Sequence, residues 1–359
     1  MLYLSKELIN SSPMHRDWAA QVHFEREMFT GFQNALAEKA AQHGVPLANS
    51  AAIIPQDAWR MLDGVTMRVL RNDEGQAYMS DLMALAKPVN IGKLAVLTRA
   101  ASDQGTVVRS MSGQKAVPMD KTKYSYSGTP IPIFDAGYGR EWREWATLQS
   151  ENFDALADDQ EAATAALRED MAAYTLDGDT NIKADSYPGY GIRTNPKSKS
   201  INLGTAAGGA NIDLTSASTT AEAIENFVNT MIGKALDDNN LTGRKINLYI
   251  SPEIGRNWDR PYSGTTGFKE GSIRDVLLKN RRIGKIVGTF KLTGNEFFGF
   301  VPDAMLIRPL VGMAVSTIAI PRTMPRDDYQ FMVAGAMGIE VRTDYAGRGG
   351  VFYSVVVNA

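Results

Sequence analysis

The most informative stretch of the sequence is residues 174–196, which read YTLDGDTNIKADSYPGYGIRTNP. Its first residues end a strongly helical segment, because from about residue 141 apolar side chains recur three, four or seven positions apart among many alanines. Gly178 is placed to end that helix, since glycine readily adopts the left-handed conformation found at helix ends. A helix over 141–177 would be a rod of roughly 50 Å, much longer than an average globular helix.

Two motifs in this stretch match known binding loops only in part. Residues 177–181 begin like a calcium loop, but Ile182 and Pro188 stand where such a loop needs glycine and glutamate. Residues 189–194 carry the first two glycines of a dinucleotide fingerprint and lack the third. We therefore predict a helix-ending turn followed by a bend, without a calcium or nucleotide site.

Upstream of this helix, residues 92–139 are rich in threonine, serine, glycine and β-branched residues. This texture predicts strands over 94–102, 105–114 and 121–134, separated by turns. The segment has too few large apolar side chains to bury a core of its own. We expect a long hairpin that rests on another surface, and a neighbouring copy of the chain could supply it. Nearer the N-terminus, the pattern predicts a helix over 14–43 and a second helical stretch after Pro55.

Downstream, the pattern predicts a helix over 220–238, a buried strand over 246–250 and an exposed loop over 259–270. Short strands are predicted from residue 286 onward, among them 304–308, 312–320, 330–338 and 339–343. The predicted class is α+β, with one long helix and separate β-rich parts.

The composition excludes most familiar catalytic chemistry. There is no cysteine, and the three histidines lie within the first 43 residues, so an enzyme would depend on carboxylates alone. With 38 basic and 40 acidic residues, the formal net charge of -2 is also unlike that of a dedicated DNA-binding protein. We expect no enzymatic activity, no cofactor and no metal.

Two clusters of charged residues indicate surfaces that face solvent or a partner. The polar face of the long helix carries Asp158, Asp159, Glu161, Glu169 and Asp170, which we interpret as a solvated or intersubunit salt-bridge face. The basic segment 268–291 could face nucleic acid, but we favour pairing with acidic patches such as 237–238 on a neighbouring copy. A hydrolase that uses Asp158, Asp159 or Asp179 with a divalent cation is the alternative from another class.

The order of several short motifs resembles the major capsid proteins of tailed bacteriophages with the Hong Kong 97 fold. These proteins often show an apolar-Gly-Asp step after a long spine helix, followed by a Gly, aliphatic, Asn-Pro step. The matching segments here are 174–179, 187–196, 248–252, 321–325, 329–331 and 337–342. By motif, the resemblance covers about residues 140–359.

This resemblance implies four parts. They are an N-terminal arm (1–90), an extended β-hairpin loop (91–140), a peripheral domain with the spine helix (141–225 and 325–359) and an axial domain (226–324). It also implies a subunit that assembles into pentamers and hexamers of an icosahedral shell around double-stranded DNA. The partners would be other copies of the chain, DNA through non-specific contact, and possible scaffold, portal and decoration proteins, with no membrane. The location would be the virion, after assembly in the host cytoplasm.

Bacterial encapsulins share this fold, so a protein nanocompartment is the main alternative. Their spine helix ends in a Glu-Asp step followed closely by glycine, whereas Glu169-Asp170 here lies eight residues before Gly178. For intersubunit contact, the sequence points to two short segments. The expected contact residues are Lys121, Lys123, Tyr124, Tyr126, Trp142 and Trp145.

Overall fold

The structure is a computed structural model in which residues 6–42, 65–66, 76–102, 107–111, 114, 121–144, 155–263, 269–322, 324 and 326–358 are described. The helices within these ranges are α1 (Lys6–Ser11), α2 (Pro13–Gln42), α3 (Ala77–Met83), α4 (Ala155–Asp177), α5 (Ala221–Phe227), α6 (Gly233–Asp238), α7 (Pro252–Trp258) and α8 (Ile273–Leu278). The strands are β1 (Lys87–Pro88), β2 (Ala95–Ala101), β3 (Tyr124–Pro130), β4 (Ile133–Arg140), β5 (Gly178–Ala184), β6 (Tyr187–Tyr190), β7 (Lys199–Asn202), β8 (Ile246–Ile250), β9 (Ile283–Gly288), β10 (Phe297–Phe300), β11 (Ile307–Ala319), β12 (Tyr329–Val341) and β13 (Val351–Val355). The predicted α+β class is confirmed.

The first sheet has the order β1-β11-β12-β4, and the long helix α4 packs across β4 and β12. β11 and β12 are antiparallel strands of 13 residues each. The helix turns an apolar face toward this sheet because alanine and larger apolar residues recur at helical spacing. The core here includes Phe134, Leu167, Met171, Tyr174, Val315, Val333, Met337 and Ile339.

The second sheet has the order β7-β13-β10-β8-β9. β8 pairs with β9 and β7 with β13 in parallel, while β10 is antiparallel to both of its neighbours. Helices α5 to α8 contribute apolar side chains to the same core, which includes Ile224, Phe227, Leu236, Leu248, Ile254, Trp258, Ile273, Leu277 and Phe297.

Polar side chains fix where the short helices around this sheet begin. The hydroxyls of Thr220, Ser251 and Ser272 accept hydrogen bonds from backbone N–H groups in the first turns of α5, α7 and α8. Such caps satisfy donors that the helix itself leaves without partners. Ser272 and Asp275 complete a reciprocal capping box.

The other two sheets are hairpins, β2–β3 and β5–β6. Within the predicted extended loop, β2 and β3 form an antiparallel hairpin, in register from Ala95 opposite Pro130 to Ala101 opposite Tyr124, whereas the end of the predicted strand 121–134 belongs to β4 of the first sheet. The predicted strand at 105–114 is wrong over residues 107–111, which are irregular. Pairing ends at Ala101 and Tyr124, so these residues have no strand partner in the described part of the chain.

Two other predicted helices are confirmed with changes in their bounds or continuity. The long helix is confirmed over 155–177 and residues 142–144 are helical, whereas 145–154 lie outside the described residues. The predicted helix over 220–238 is confirmed as α5 and α6, joined by the π-helical turn Val228–Ile232.

The four strands predicted over 304–343 form only two. Segments 304–308 and 312–320 belong to the single strand β11, and 330–338 and 339–343 belong to β12. β11 continues because irregularities at Val311/Met313 and Met313/Ser316 absorb the change of register with β12.

The N-terminal helix predicted over 14–43 is confirmed as α2. Trp18 and Val22 are buried against Ala314 of β11, and the Arg26 guanidinium donates to the carbonyl of Thr317 at 3.1 Å. The predicted helical stretch after Pro55 is described only at residues 65–66, which are helical. No helix in the described ranges combines the length and apolar character needed to cross a bilayer.

The division into arm, extended loop, peripheral domain and axial domain stays a prediction. β11 lies entirely within the predicted axial range and pairs with β12 of the peripheral range. β13 lies within the peripheral range and pairs with β10 of the axial range. Each of the two larger sheets therefore draws strands from both ranges.

Candidate intersubunit surface

The segment after the spine helix α4 folds back and closes the end of that helix. Gly178 has a φ of 67° and starts β5, so residues 178–184 form an extended strand rather than a loop wrapped around a cation. The backbone N–H groups of Ile192 and Arg193 then donate to the carbonyls of Thr175 and Leu176 at 2.9 and 2.8 Å. Carbonyls that a helix end leaves without partners are thereby satisfied by its own continuation.

Side chains reinforce this junction. The Thr194 hydroxyl donates to the carbonyl of Asp177 at 2.6 Å, and the Arg193 guanidinium reaches the carboxylates of Asp177 at 2.6 Å and Glu296 at 3.0 Å. Tyr174 packs edge-on against Phe134, with ring centroids 5.4 Å apart. The C-terminal end of α4, the β5–β6 hairpin and the turn after β6 therefore form one compact unit.

Tyr174 provides a test of this packing. Burial, with a smaller contribution from the Asp179 carboxylate, raises the pKa of Tyr174 to about 12 from the usual 10. Between pH 10 and 12 the unfolded chain releases this proton while the folded chain retains it, so folding stability should fall as pH rises. We expect a smaller loss from pH 9 to pH 11 in Tyr174→Phe, measured by urea unfolding. An equal loss of stability in the parent chain and in Tyr174→Phe would contradict the raised pKa of Tyr174.

The β2–β3 hairpin is fixed to the body at its base. The Lys197 ammonium donates to the Ser127 hydroxyl at 2.5 Å, and Ser127 lies directly opposite Thr98 in the hairpin register. At Gly128 the Tyr187 ring lies so close that a Cβ atom would overlap it. The hairpin therefore leaves the body from a defined anchor.

From the anchor outward, one face of the hairpin exposes large apolar side chains together with Arg99. This hairpin face consists of Leu97, Arg99, Ala101, Tyr124 and Tyr126, which share one side of the two strands. The exposed fractions are 60% for Leu97, 50% for Tyr124 and 61% for Tyr126. The Arg99 guanidinium lies 4.6 Å from the centre of the Tyr124 ring, where the cation and the ring attract each other.

Four of the six predicted contact residues lie on or beside this face. Tyr124 and Tyr126 belong to it, and the exposed Lys121 and Lys123 precede it. The backbone of Lys123 exchanges hydrogen bonds with Ser102 on the facing chain segment. Trp142 is half-buried in the helical residues 142–144, which follow β4, and Trp145 lies outside the described residues. These contact assignments remain predictions.

The sequence prediction missed Leu97 and Arg99. The alternation of exposed and half-buried positions along β2 is the signal that identifies them.

The charged clusters pair largely within the chain. Two carboxylates of the spine helix bind basic side chains from elsewhere in the chain. Asp159 binds the guanidinium of Arg140 at 2.5 and 2.8 Å, and Glu169 binds the Lys291 ammonium at 2.6 Å. The hydrogen bond from Lys291 lowers the pKa of Glu169. The predicted salt-bridge face is therefore occupied, at these positions, by partners from the same chain.

The expectation that the basic segment 268–291 pairs with Asp237 of another copy needs correction. Arg282 binds Asp237 of its own chain at 2.9 Å, and the same guanidinium donates to the carbonyl of Gly233 at the start of α6 at 2.6 Å. Further intrachain ion pairs are Lys269–Glu225, Arg274–Asp259 and Lys285–Asp81. Much of this positive charge is thus neutralised locally.

The carboxylates of the hydrolase alternative do not converge. Asp158 and Asp159 lie near the start of α4, whereas Asp179 lies just past its end, roughly 30 Å away at 1.5 Å per residue. The Asp179 carboxylate accepts a hydrogen bond from the backbone of Asn181 at 2.8 Å. Within the described ranges, no group of three or more histidine, aspartate and glutamate side chains could hold a metal ion.

Solved structures share this architecture. The virus-like particle from Pyrococcus furiosus is 17% identical, with a TM-score of 0.53 over 83% of this chain and 99% of that chain. The capsid of Myoviridae phage XM1 is 12% identical, with a TM-score of 0.54 over 76% of this chain and 90% of that one. The capsid of a native GTA particle is 11% identical, with a TM-score of 0.51 over 77% and 90%.

These similarities confirm the predicted Hong Kong 97-like capsid fold. No curated protein matches the chain in sequence. A family model described as a family of unknown function, DUF6260, matches residues 49–354. The chain therefore belongs to the DUF6260 family of unknown function.

Proposed function

We propose that the chain is a structural, non-enzymatic shell protein: a major capsid subunit that assembles into pentamers and hexamers of an icosahedral particle enclosing double-stranded DNA. The observation that carries the proposal is the hairpin face. It presents three large apolar side chains, Leu97, Tyr124 and Tyr126, on a hairpin that Lys197 and Tyr187 hold at its base. A hairpin of two strands is marginally stable without further packing. A neighbouring copy would supply that packing.

Within this proposal the four parts keep their predicted roles. Residues 1–90 are the arm, 91–140 the loop that lies over an adjacent copy, 141–225 and 325–359 the peripheral domain, and 226–324 the axial domain around the fivefold and sixfold positions. Residues Lys121, Lys123, Tyr124, Tyr126, Trp142 and Trp145 are proposed contact positions. Scaffold, portal and decoration proteins are the expected further partners, and the particle is assembled in the host cytoplasm.

A second candidate is an encapsulin-type compartment that encloses protein cargo. The match to the Pyrococcus furiosus virus-like particle over 99% of that chain favours considering it. The contents of purified particles distinguish the two functions. Double-stranded DNA that survives external nuclease supports a viral capsid, whereas particles of one small size that contain protein cargo support the compartment.

The hairpin face is tested by replacing two of its side chains. Fully burying a large apolar side chain contributes about 1.5 to 3 kcal/mol. We therefore expect Leu97→Ser with Tyr126→Ser to weaken each contact by about 3 kcal/mol, or roughly a hundredfold in the association constant. The subunit should stay folded, and its assembly threshold, measured by light scattering against concentration, should rise accordingly.

A matched control replaces the same kinds of exposed side chain elsewhere. Met305 and Tyr345 are 65% and 45% exposed and lie outside the hairpin. Met305→Ser with Tyr345→Ser should leave the assembly threshold close to that of the parent chain. An equal rise in both double variants would refute a specific role for the hairpin face.

A further inference from the structure

Two side chains from opposite ends of one segment hold the base of the β2–β3 hairpin. Tyr187 is the first residue of β6, and Lys197 lies in the turn that follows β6. The residues between them include those that bond to the end of helix α4. The Tyr187 ring covers Gly128, and the Lys197 ammonium donates to the Ser127 hydroxyl at 2.5 Å. Both contacts fall on neighbouring residues of β3.

We propose that Tyr187 and Lys197 form a latch that sets the direction in which the hairpin leaves the body, and that this latch is carried by the C-terminal end of the spine helix. The latch is a property of the single subunit. Its importance for assembly rests on the proposed shell function, because a hairpin must point the right way to reach a neighbouring copy.

The latch reaches both strands of the hairpin. Ser127 pairs directly with Thr98 of β2, and the Thr98 hydroxyl lies 3.3 Å from the Ser127 hydroxyl and donates to the Ser127 carbonyl at 3.2 Å. One lysine thus restrains a hydroxyl pair that spans the hairpin. Releasing Lys197 should loosen β2 as well as β3.

The connection from the latch to helix α4 is short and hydrogen-bonded. Ile192 and Arg193 bond to the last turn of α4, and the Asn195 side chain accepts from the backbone N–H of Lys197 at 3.0 Å. The Ser198 N–H donates to the Asn195 carbonyl at 3.0 Å. The backbone that carries Lys197 is therefore fixed to the helix end, and a movement of one should displace the other.

The surroundings make the lysine contact stronger than an exposed one. Burial lowers the pKa of Lys197, with the nearby Glu340 carboxylate acting in the opposite direction. Glu340 itself is buried and paired with Arg308 at 2.5 Å. A charged donor in such a partly desolvated place forms a stronger hydrogen bond than it would in water.

A distance measurement between two spin labels tests the latch directly. The chain has no cysteine, so two introduced cysteines are its only thiols. Ser125→Cys places one label on the exposed end of β3, and Ala162→Cys places the other on the exposed face of α4. Labelled chain is diluted with unlabelled chain, so that only distances within one subunit are recorded.

The parent chain should give one narrow distance distribution. In Lys197→Met with Tyr187→Ser, the narrow maximum should be lost and replaced by a broad, shifted distribution. Lys197→Arg keeps a charged donor and should retain much of the narrow maximum. The control Lys183→Met removes an exposed lysine of β5, outside the latch, and should change nothing.

Ser127→Ala removes the hydroxyl that accepts from Lys197 and leaves the helix junction intact. It should broaden and shift the distance distribution as the double variant does. Circular dichroism and thermal melting verify that each variant is folded. An unchanged distribution in folded Lys197→Met/Tyr187→Ser and in Ser127→Ala would overturn the latch. A chain that never assembles but shows these changes would refute the shell function and leave the latch standing.

Discussion

Replacing residues 99–126 by an Asn-Gly turn is expected to leave a folded subunit that no longer closes shells. Thr98 and Ser127 lie directly opposite each other, so a two-residue turn can join them. The replacement removes Arg99, Ala101 and both tyrosines of the hairpin face and leaves the anchor at Ser127 and Gly128 in place. The two larger sheets use no residue of the removed segment.

Size exclusion with light scattering, thermal melting and electron microscopy measure this outcome. The truncated chain should melt near the parent temperature and appear as small oligomers without closed particles. A control replaces only residues 103–120 by a Gly-Ser linker of equal length, which keeps β2 and β3, and should still form shells. Normal particles from the truncated chain would show that the hairpin face is dispensable.

Gly178→Ala is expected to destabilise the fold far more than Gly208→Ala. Both glycines have positive φ, 67° and 83°, a conformation that costs other residues about 1 kcal/mol or more. At Gly178 an added Cβ would also overlap the backbone of Gly189 and Gly191, whereas at Gly208 it meets nothing within 4 Å. The difference between the two substitutions isolates the cost of this close approach.

We expect a loss of about 1 kcal/mol in folding free energy for Gly208→Ala and of about 3 kcal/mol or more for Gly178→Ala. Backbone atoms on the facing strand cannot swing aside as a side chain can, so relief requires the start of β5 to separate from the end of β6. Urea unfolding measures both values. Equal losses in the two variants would contradict the close approach of Gly178 to the backbone of Gly189 and Gly191.

Local patterns predicted much of the fold. The spacing of Leu167, Met171 and Tyr174 identifies the spine helix, because one helical face must meet the core. Gly178 predicts its end, because glycine adopts positive φ without strain. These features depend on residues close together in the chain, and the sequence therefore shows them directly.

Long-range pairing could not be predicted in the same way. β13 lies between β7 and β10, and nothing near residues 351–355 indicates those neighbours. Arg282 is paired with Asp237 of its own chain because the fold brings Arg282 against α6, where it also binds the Gly233 carbonyl. The charge pattern contained both residues but could not decide between a partner in the same chain and one in another copy.

The candidate surface was predicted in part. The sequence indicated Tyr124 and Tyr126, whereas Leu97 and Arg99 became evident only once the register of β2 against β3 placed them on the same face. Tyr187 and Lys197 were part of the junction segment or next to it, but their contact with the hairpin spans about 60 to 70 residues. Such a contact follows from the assembled fold rather than from a local pattern.

Electron microscopy of the purified full-length chain, after nuclease treatment and size exclusion, tests the central claim most directly. The account predicts closed particles whose surface is built from rings of five and six subunits, with each β2–β3 hairpin lying over an adjacent copy. A chain that remains monomeric or dimeric at the highest attainable concentration, without rings or shells, would contradict the proposed self-assembling capsid subunit.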